Sequence, residues 1–120
     1  MKNQRFLDRL GFALRGIRAG WRTESSFRFQ SVMASAAVAL LLVSRPEPMW
    51  WAIFFLVISA VLAAELFNTA LEHVIDRLHP EVHPLIAQSK DCAAAAVLLL
   101  SVAAIGIVIA FAVEELGAIL

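Results

Sequence analysis

The rhythm of apolar and polar residues changes twice along this chain. In residues 5–22, RFLDRLGFALRGIRAGWR, apolar Phe6, Leu10, Ala13, Leu14, Ile17 and Trp21 recur at three- and four-residue spacings, with the basic residues largely between them. That pattern predicts an amphipathic helix suited to lying along an anionic membrane surface. A cytosolic helix packed on the rest of the protein is the plainer alternative. Gly11, Gly16 and Gly20 weaken its helix propensity and leave room for close packing or the approach of a ligand. Beyond residue 22 the rhythm gives way to nearly continuous apolar runs. SVMASAAVALLLV (31–43) is thirteen residues long, short of the roughly 20 needed to cross a 30 Å hydrocarbon core. A start at residue 25 repairs the length but brings Arg28 and Gln30 into the span's cytoplasmic end. SRPEP (44–48) predicts a tight connection, because its prolines disfavour continued helix. MWWAIFFLVISAVLAA opens a second span, with Trp50 and Trp51 at the level of an interfacial aromatic belt, and its helical pattern continues to about residue 78. His79-Pro80 and His83-Pro84 mark a loop. CAAAAVLLLSVAAIGIVIAFAV (92–113) is a third span of twenty-two residues without a charge.

The expected fold is therefore an all-α membrane protein forming one domain over residues 1–120. It has a surface helix at 5–22 and spans at 25–43, 49–78 and 92–113. Composition agrees: 61% of the residues are hydrophobic and 17% charged, more apolar surface than a soluble domain of 120 residues could hide. Net charge is zero, but residues 1–30 carry Lys2, Arg5, Arg9, Arg15, Arg18, Arg22 and Arg28 against Asp8 and Glu24. The positive-inside rule puts this arm in the cytoplasm, hence 44–48 outside, 73–91 inside and the C-terminus outside. Mixed, basic residues ahead of the first apolar run do not read as a cleavable signal. Cys92 is the single cysteine, so neither an internal disulfide nor a CxxC metal motif exists. It is expected to pack as a small apolar residue.

The candidate chemistry lies in ELFNTALEHVID, residues 65–76. A charge next to hydrocarbon costs about 2.5–3.5 kcal/mol on insertion scales, yet Glu65, Glu72 and Asp76 all fall here. At 100° per residue, Asn68, Glu72 and Asp76 lie about 60°, 20° and 20° from the direction of Glu65. All four share one stripe. Carboxylates one or two turns apart with an amide between them form a hard-oxygen surface suited to Mg²⁺, which is commonly held by one or two carboxylates plus substrate phosphates. Lys90 and Asp91 return a cation and a carboxylate to the membrane surface at the far end of the loop, and Glu24 stands at the start of the first span. Acid, metal ligands and a phosphate-binding cation are what phosphoryl transfer needs. Plainer readings stand beside each: Lys90 as a snorkelling anchor, Asn68 and Thr69 as interhelical hydrogen-bonding groups, Asp76 as solvated surface. His73, His79 and His83 lack the further ligands of a zinc site. No Walker A, kinase Gly-rich loop, GxSxG or HExxH occurs.

ELFNTALEHVID resembles the signature of the prokaryotic diacylglycerol kinase family: Glu, two residues, Asn, Ser/Thr-Ala, an aliphatic, Glu, two residues, an aliphatic and Asp. HPLIAQSKDCAAAAVLL and GIRAGWRTESSFR resemble two further blocks of that family, and the likeness covers nearly the whole chain. The resemblance implies a small integral-membrane lipid kinase of the bacterial inner membrane, a homotrimer of three-span protomers with active sites shared between neighbours. It uses ATP with Mg²⁺ and a membrane lipid alcohol, and no nucleic acid. Carried over by position, Glu65 is the general base, Glu24 and Glu72 are Mg²⁺ ligands, Asn68 orients Glu65 or the transferred phosphate, and Lys90 binds the polyphosphate. Arg5, Gly11, Gly16 and Arg18 fall in the arm that closes over the nucleotide. Glu24, Asp76, His83 and Asp91 lie on the nucleotide's side, and Trp21 and Ser25 join Glu65 at the lipid.

Two departures stand out: Gln30 occupies a position where some members are expected to carry a carboxylate, and Phe12 lacks the hydroxyl that an aromatic there can bear. Two branches share the motifs, one phosphorylating diacylglycerol and the other undecaprenol. GIRAGWRTESSFR leans to the first, while HPLIAQSKDCAAAAV is reminiscent also of the second. A lone three-helix chain is expected to have little interior in which to shield Glu65, a second reason to expect an oligomer. Two rival classes are a proton or cation pathway, which predicts polar residues continuing across the bilayer where this chain is apolar, and a structural or regulatory membrane subunit, which has no need of Lys90 and Glu24 at the depth of Glu65.

Overall fold

The computed structural model describes residues 5–120; Lys2 of the basic arm lies outside them. Four helices follow one another: α1 (Phe6–Thr23), α2 (Ser25–Ser44), α3 (Pro48–Leu78) and α4 (Pro84–Ile119). The last three are long and apolar enough to cross a membrane. Two of the four prolines expected to interrupt helix instead begin one, Pro48 and Pro84 each standing in a first turn, where the missing N–H would have had no partner. The third long helix thus starts at Pro84 rather than at residue 92, and Lys90 and Asp91 sit on its second turn instead of in a loop. His83 caps it, its Nδ1 accepting the Leu85 N–H at 3.1 Å. At the opposite end of the bundle, Arg45 closes α2 in the left-handed region (φ 49°, ψ 56°) and its N–H reaches the Leu41 carbonyl. The chain then turns through Pro46 into α3.

α3 packs against all three other helices, while α2 and α4 make no close backbone approach to each other. The best-packed cluster is aromatic. Leu41, Phe54 and Phe111 are fully buried; Phe54 and Phe111 meet edge-to-face at 5.5 Å, and Trp50 meets Phe111 at 5.1 Å. Trp50 Nε1 also donates to Glu114 Oε2 at 2.5 Å, which fixes the start of α3 beside the end of α4. Lipid tails are as apolar as these rings, so the cluster holds through dispersion and ring geometry rather than through the hydrophobic effect. Elsewhere the polarity is that of a membrane protein: Glu65 is 4% exposed and its near neighbour Phe67 78%.

α1 is bound to the bundle by its last turns. Gly20 is buried, and a Cβ there would stand 2.6 Å from Leu66 Cδ2 and 3.5 Å from the Phe27 ring, so a glycine lets α1 approach α3 at the residue next to Glu65. Gly11 and Gly16 face open space. Arg28, brought into the start of α2, ties that helix back to α1. Its guanidinium donates to the Trp21 carbonyl at 2.7 Å and the Arg22 carbonyl at 3.4 Å. These are last-turn carbonyls of α1, where a cation is favourably placed. Because Leu66 Cδ2 is the tip of a flexible side chain, Gly20→Ala is expected to fold normally. Gly20→Leu should lower stability by about 1–3 kcal/mol through overpacking, read as a fall in the thermal midpoint in detergent.

Candidate active site

One non-helical residue separates α1 from α2, and that residue is Glu24 (φ −123°, ψ 113°). The corner aims it at α3. Its Oε1 lies 3.8 Å from His73 Nε2, and its charge bears on Glu65, as does that of Glu72. The stripe from Glu65 to Asp76 is graded by exposure, with Glu65 buried, Asn68 and Glu72 half-buried, and His73 and Asp76 exposed. Measured along α3 from Trp50, Glu65 lies about 22 Å and Glu72 about 33 Å away at 1.5 Å per residue, so a 30 Å hydrocarbon core anchored at Trp50 ends between them. On that anchoring one carboxylate falls within the hydrocarbon thickness and the other beyond it.

Within the stripe, Asn68 Nδ2 donates to Glu72 Oε1 at 3.3 Å, which fixes the amide's orientation and turns Oδ1 the other way. Asn68 Oδ1 is buried and has no hydrogen-bond partner. An orphaned acceptor of this kind costs about 1–3 kcal/mol, and any donor that docks beside it recovers that cost. Thr69 is also buried, but its hydroxyl is spent on the Glu65 carbonyl at 2.9 Å; it serves the helix and leaves Asn68 as the unsatisfied group.

Two expectations need correction. A lone chain is expected to leave Glu65 unshielded, yet a single chain buries it. Gln30 of α2 neighbours the Glu65 carboxylate, and α1 is seated on the adjacent Leu66 through Gly20. Lys90 is expected at the depth of Glu65. It instead pairs with Asp76, Nζ to Oδ1 at 2.5 Å, about 16 Å along α3 from Glu65 at 1.5 Å per residue. The early start of α4 is the reason, since an antiparallel helix beginning at Pro84 brings its second turn level with the end of α3. Asp76, otherwise the least explained member of the row, is the residue that holds Lys90.

The remaining predicted positions are more dispersed. Arg5 is exposed, 3.6 Å from Asp8, and Gly11, Gly16 and Arg18 lie along α1 without a contact to the stripe that any bond records. Trp21 and Ser25 are exposed on either side of the Glu24 corner, and Asp91 is exposed on α4. His83 is engaged as the cap of α4. Gln30, noted in the sequence as a departure from the family pattern but given no role there, lies beside the row; its amide also donates to Ser101 Oγ of α4 at 2.9 Å.

The donor set suits Mg²⁺. Glu24 and Glu72 both crowd Glu65 with negative charge, which a cation between hard oxygens offsets. Among the described residues no group of three or more His, Cys, Asp or Glu side chains gathers for a metal; Glu24 and Glu72 alone would leave the rest of an ion's shell to phosphate oxygens and water.

The sequence pattern of the family described as Prokaryotic diacylglycerol kinase matches residues 11–112. An undecaprenol kinase of Bacillus subtilis is 37% identical over 98 residues, covering 82% of this chain and 80% of its own. A diacylglycerol kinase of Escherichia coli is 30% identical over 101 residues, 84% of this chain and 83% of its own. One of Pseudomonas aeruginosa is 36% identical over 96 residues, 78% and 76% of the respective chains. A family pattern that spans residues 11–112 and relatives matched over most of their own length, together with three helices able to cross a membrane, make this chain a member of the prokaryotic diacylglycerol kinase family of membrane lipid kinases.

Proposed function

We propose that the protein transfers the γ-phosphate of ATP directly to the hydroxyl of diacylglycerol at the cytoplasmic face of the bacterial inner membrane, forming phosphatidic acid and ADP. The observation that carries this reading is the pairing of buried Glu65 with the partnerless Asn68 Oδ1 one turn away. Together they form a docking point for a donor hydroxyl at a depth that a lipid headgroup reaches and a water-soluble alcohol does not. Asn68 Oδ1 receives the incoming hydroxyl. Glu65 removes its proton as the oxygen attacks the γ-phosphorus and the bond to the β-phosphate oxygen breaks. Glu24 and Glu72 hold Mg²⁺, which supplies charge neutralisation for the transferred phosphoryl group. Lys90 leaves Asp76 for the polyphosphate, an exchange of one anionic partner for another at an exposed position, where the ion pair itself is worth little. Arg5, Arg18, Gly11 and Gly16 border the nucleotide from α1, Asp91 and His83 from α4, and Trp21 and Ser25 border the lipid. The basic arm on the cytoplasmic side sets the orientation. A homotrimer is the proposed assembly.

A second acceptor is favoured by one finding: the relative that is 37% identical carries the name undecaprenol kinase. Purified protein in lipid micelles with Mg²⁺-ATP, offered both alcohols together, distinguishes them. Labelled phosphate is expected predominantly in phosphatidic acid. Predominant undecaprenyl phosphate would transfer the reading to the second alcohol, and ion flux without ATP consumption would remove the kinase reading altogether.

A further inference from the structure

The α2–α4 side of the bundle holds a feature that the reaction as described does not use. Because these two helices do not approach closely, an apolar groove of about 380 Å³ opens between them over α3, with Phe29, Met33, Ala37, Val61 and Ile105 in its walls. Two polar side chains line it, Gln30 and Ser101. They hydrogen-bond to each other across the gap, Nε2 to Oγ at 2.9 Å, between residues 71 apart in sequence. Among the described residues this is the one side-chain hydrogen bond joining α2 to α4. The groove and the polar row meet at Gln30, which also neighbours Glu65.

A glutamine amide carries two N–H groups and one carbonyl oxygen. With one N–H committed to Ser101, the amide plane is fixed by α4, and the other N–H remains for the carboxylate of Glu65. An interhelical bond used only for adhesion contributes little in a membrane and has no reason to stand beside the buried acid. Here the tether lies at that point, and it joins the two helices that no backbone contact holds together. We infer that Gln30 is a positioning residue: held by Ser101, its amide orients the Glu65 carboxylate toward the hydroxyl of a lipid whose hydrocarbon part enters the groove between α2 and α4. This rests on the kinase reading proposed above.

The test compares wild type, Gln30→Met, Ser101→Ala and the double variant in the micellar assay with Mg²⁺-ATP and diacylglycerol. Methionine keeps the length and volume of the side chain and removes both donors. Gln30→Met is expected to lower kcat about tenfold, as loss of orientation does, with KM for ATP within about twofold of wild type and the thermal midpoint unchanged. Ser101→Ala should lose less, and the double variant no more than Gln30→Met, because both residues act through one interaction. Three results would each overturn the inference: a wild-type kcat in Gln30→Met, single losses that multiply in the double variant, or a fall in kcat matched by a fall in thermal midpoint. A wild-type protein that phosphorylates no lipid alcohol fails the kinase reading and the inference together, whereas an active wild type with an indifferent Gln30 overturns the inference alone.

Discussion

Glu65→Gln is expected to abolish most turnover while leaving the protein folded. The amide is isosteric and occupies the same buried place beside Gln30 and Leu66, so packing around Gly20 is retained. It has no basic oxygen able to take the proton of the attacking hydroxyl. General-base assistance contributes roughly 10²–10⁴-fold, and a loss of that order in kcat is expected, with KM for ATP little changed because the nucleotide contacts proposed above fall on Glu24, Glu72 and Lys90 instead. Removing a buried charge also removes its desolvation penalty, so the thermal midpoint should be equal to or above that of wild type. A variant that turns over at the native rate would strip Glu65 of the role of base.

Glu72→Gln should be nearly as damaging for a different reason. Glu72 is half-buried, accepts from Asn68 and adds repulsion to Glu65. Replacing it by an amide leaves one carboxylate, Glu24, for the cation. The Mg²⁺ concentration giving half-maximal rate is expected to rise about tenfold or more, since a single carboxylate is a poor anchor for an ion that dehydrates reluctantly. Relief of the repulsion should keep or raise stability, the usual trade between a strained site and its activity. Titrating Mg²⁺ at saturating ATP separates this from Glu65→Gln, whose deficit no excess of the ion restores. An unchanged Mg²⁺ requirement would remove Glu72 from the metal site.

What the sequence revealed, and what it concealed, follows from the reach of the interactions. The helices, the polar row and its single face are properties of local period, and the graded burial from Glu65 to Asp76 follows the expected stripe. Glu24 stands out at the start of the first span and takes a metal-ligand role only by likeness to a family; the corner that aims it depends on one extended residue between two helices. Hidden altogether were features set by how helices lie against one another: the pairing of Lys90 with Asp76, the tether from Gln30 to Ser101 and the Arg28 contacts with α1. The His-Pro pairs were legible as breaks, but whether such a proline ends one helix or starts the next depends on the cap before it, here His83. The shielding of Glu65 escapes the sequence because period alone does not show that Gly20 lets α1 lie against α3.

The aromatic cluster around Phe54 and Phe111 also shapes how the molecule moves. It pins α2, α3 and α4 at the end farthest from the chemistry, through interlocked rings that shift only if several move at once. The opposite end is joined by partly exposed polar pairs, Lys90 with Asp76 and Glu24 with His73, whose exposed members exchange readily with water. Stability is therefore distributed along the bundle like that of a pair of tongs, stiff at the pivot and compliant at the tips. Separation of the helices thus costs least at the end that carries Glu24, Asp76 and Lys90, and most at the aromatic end.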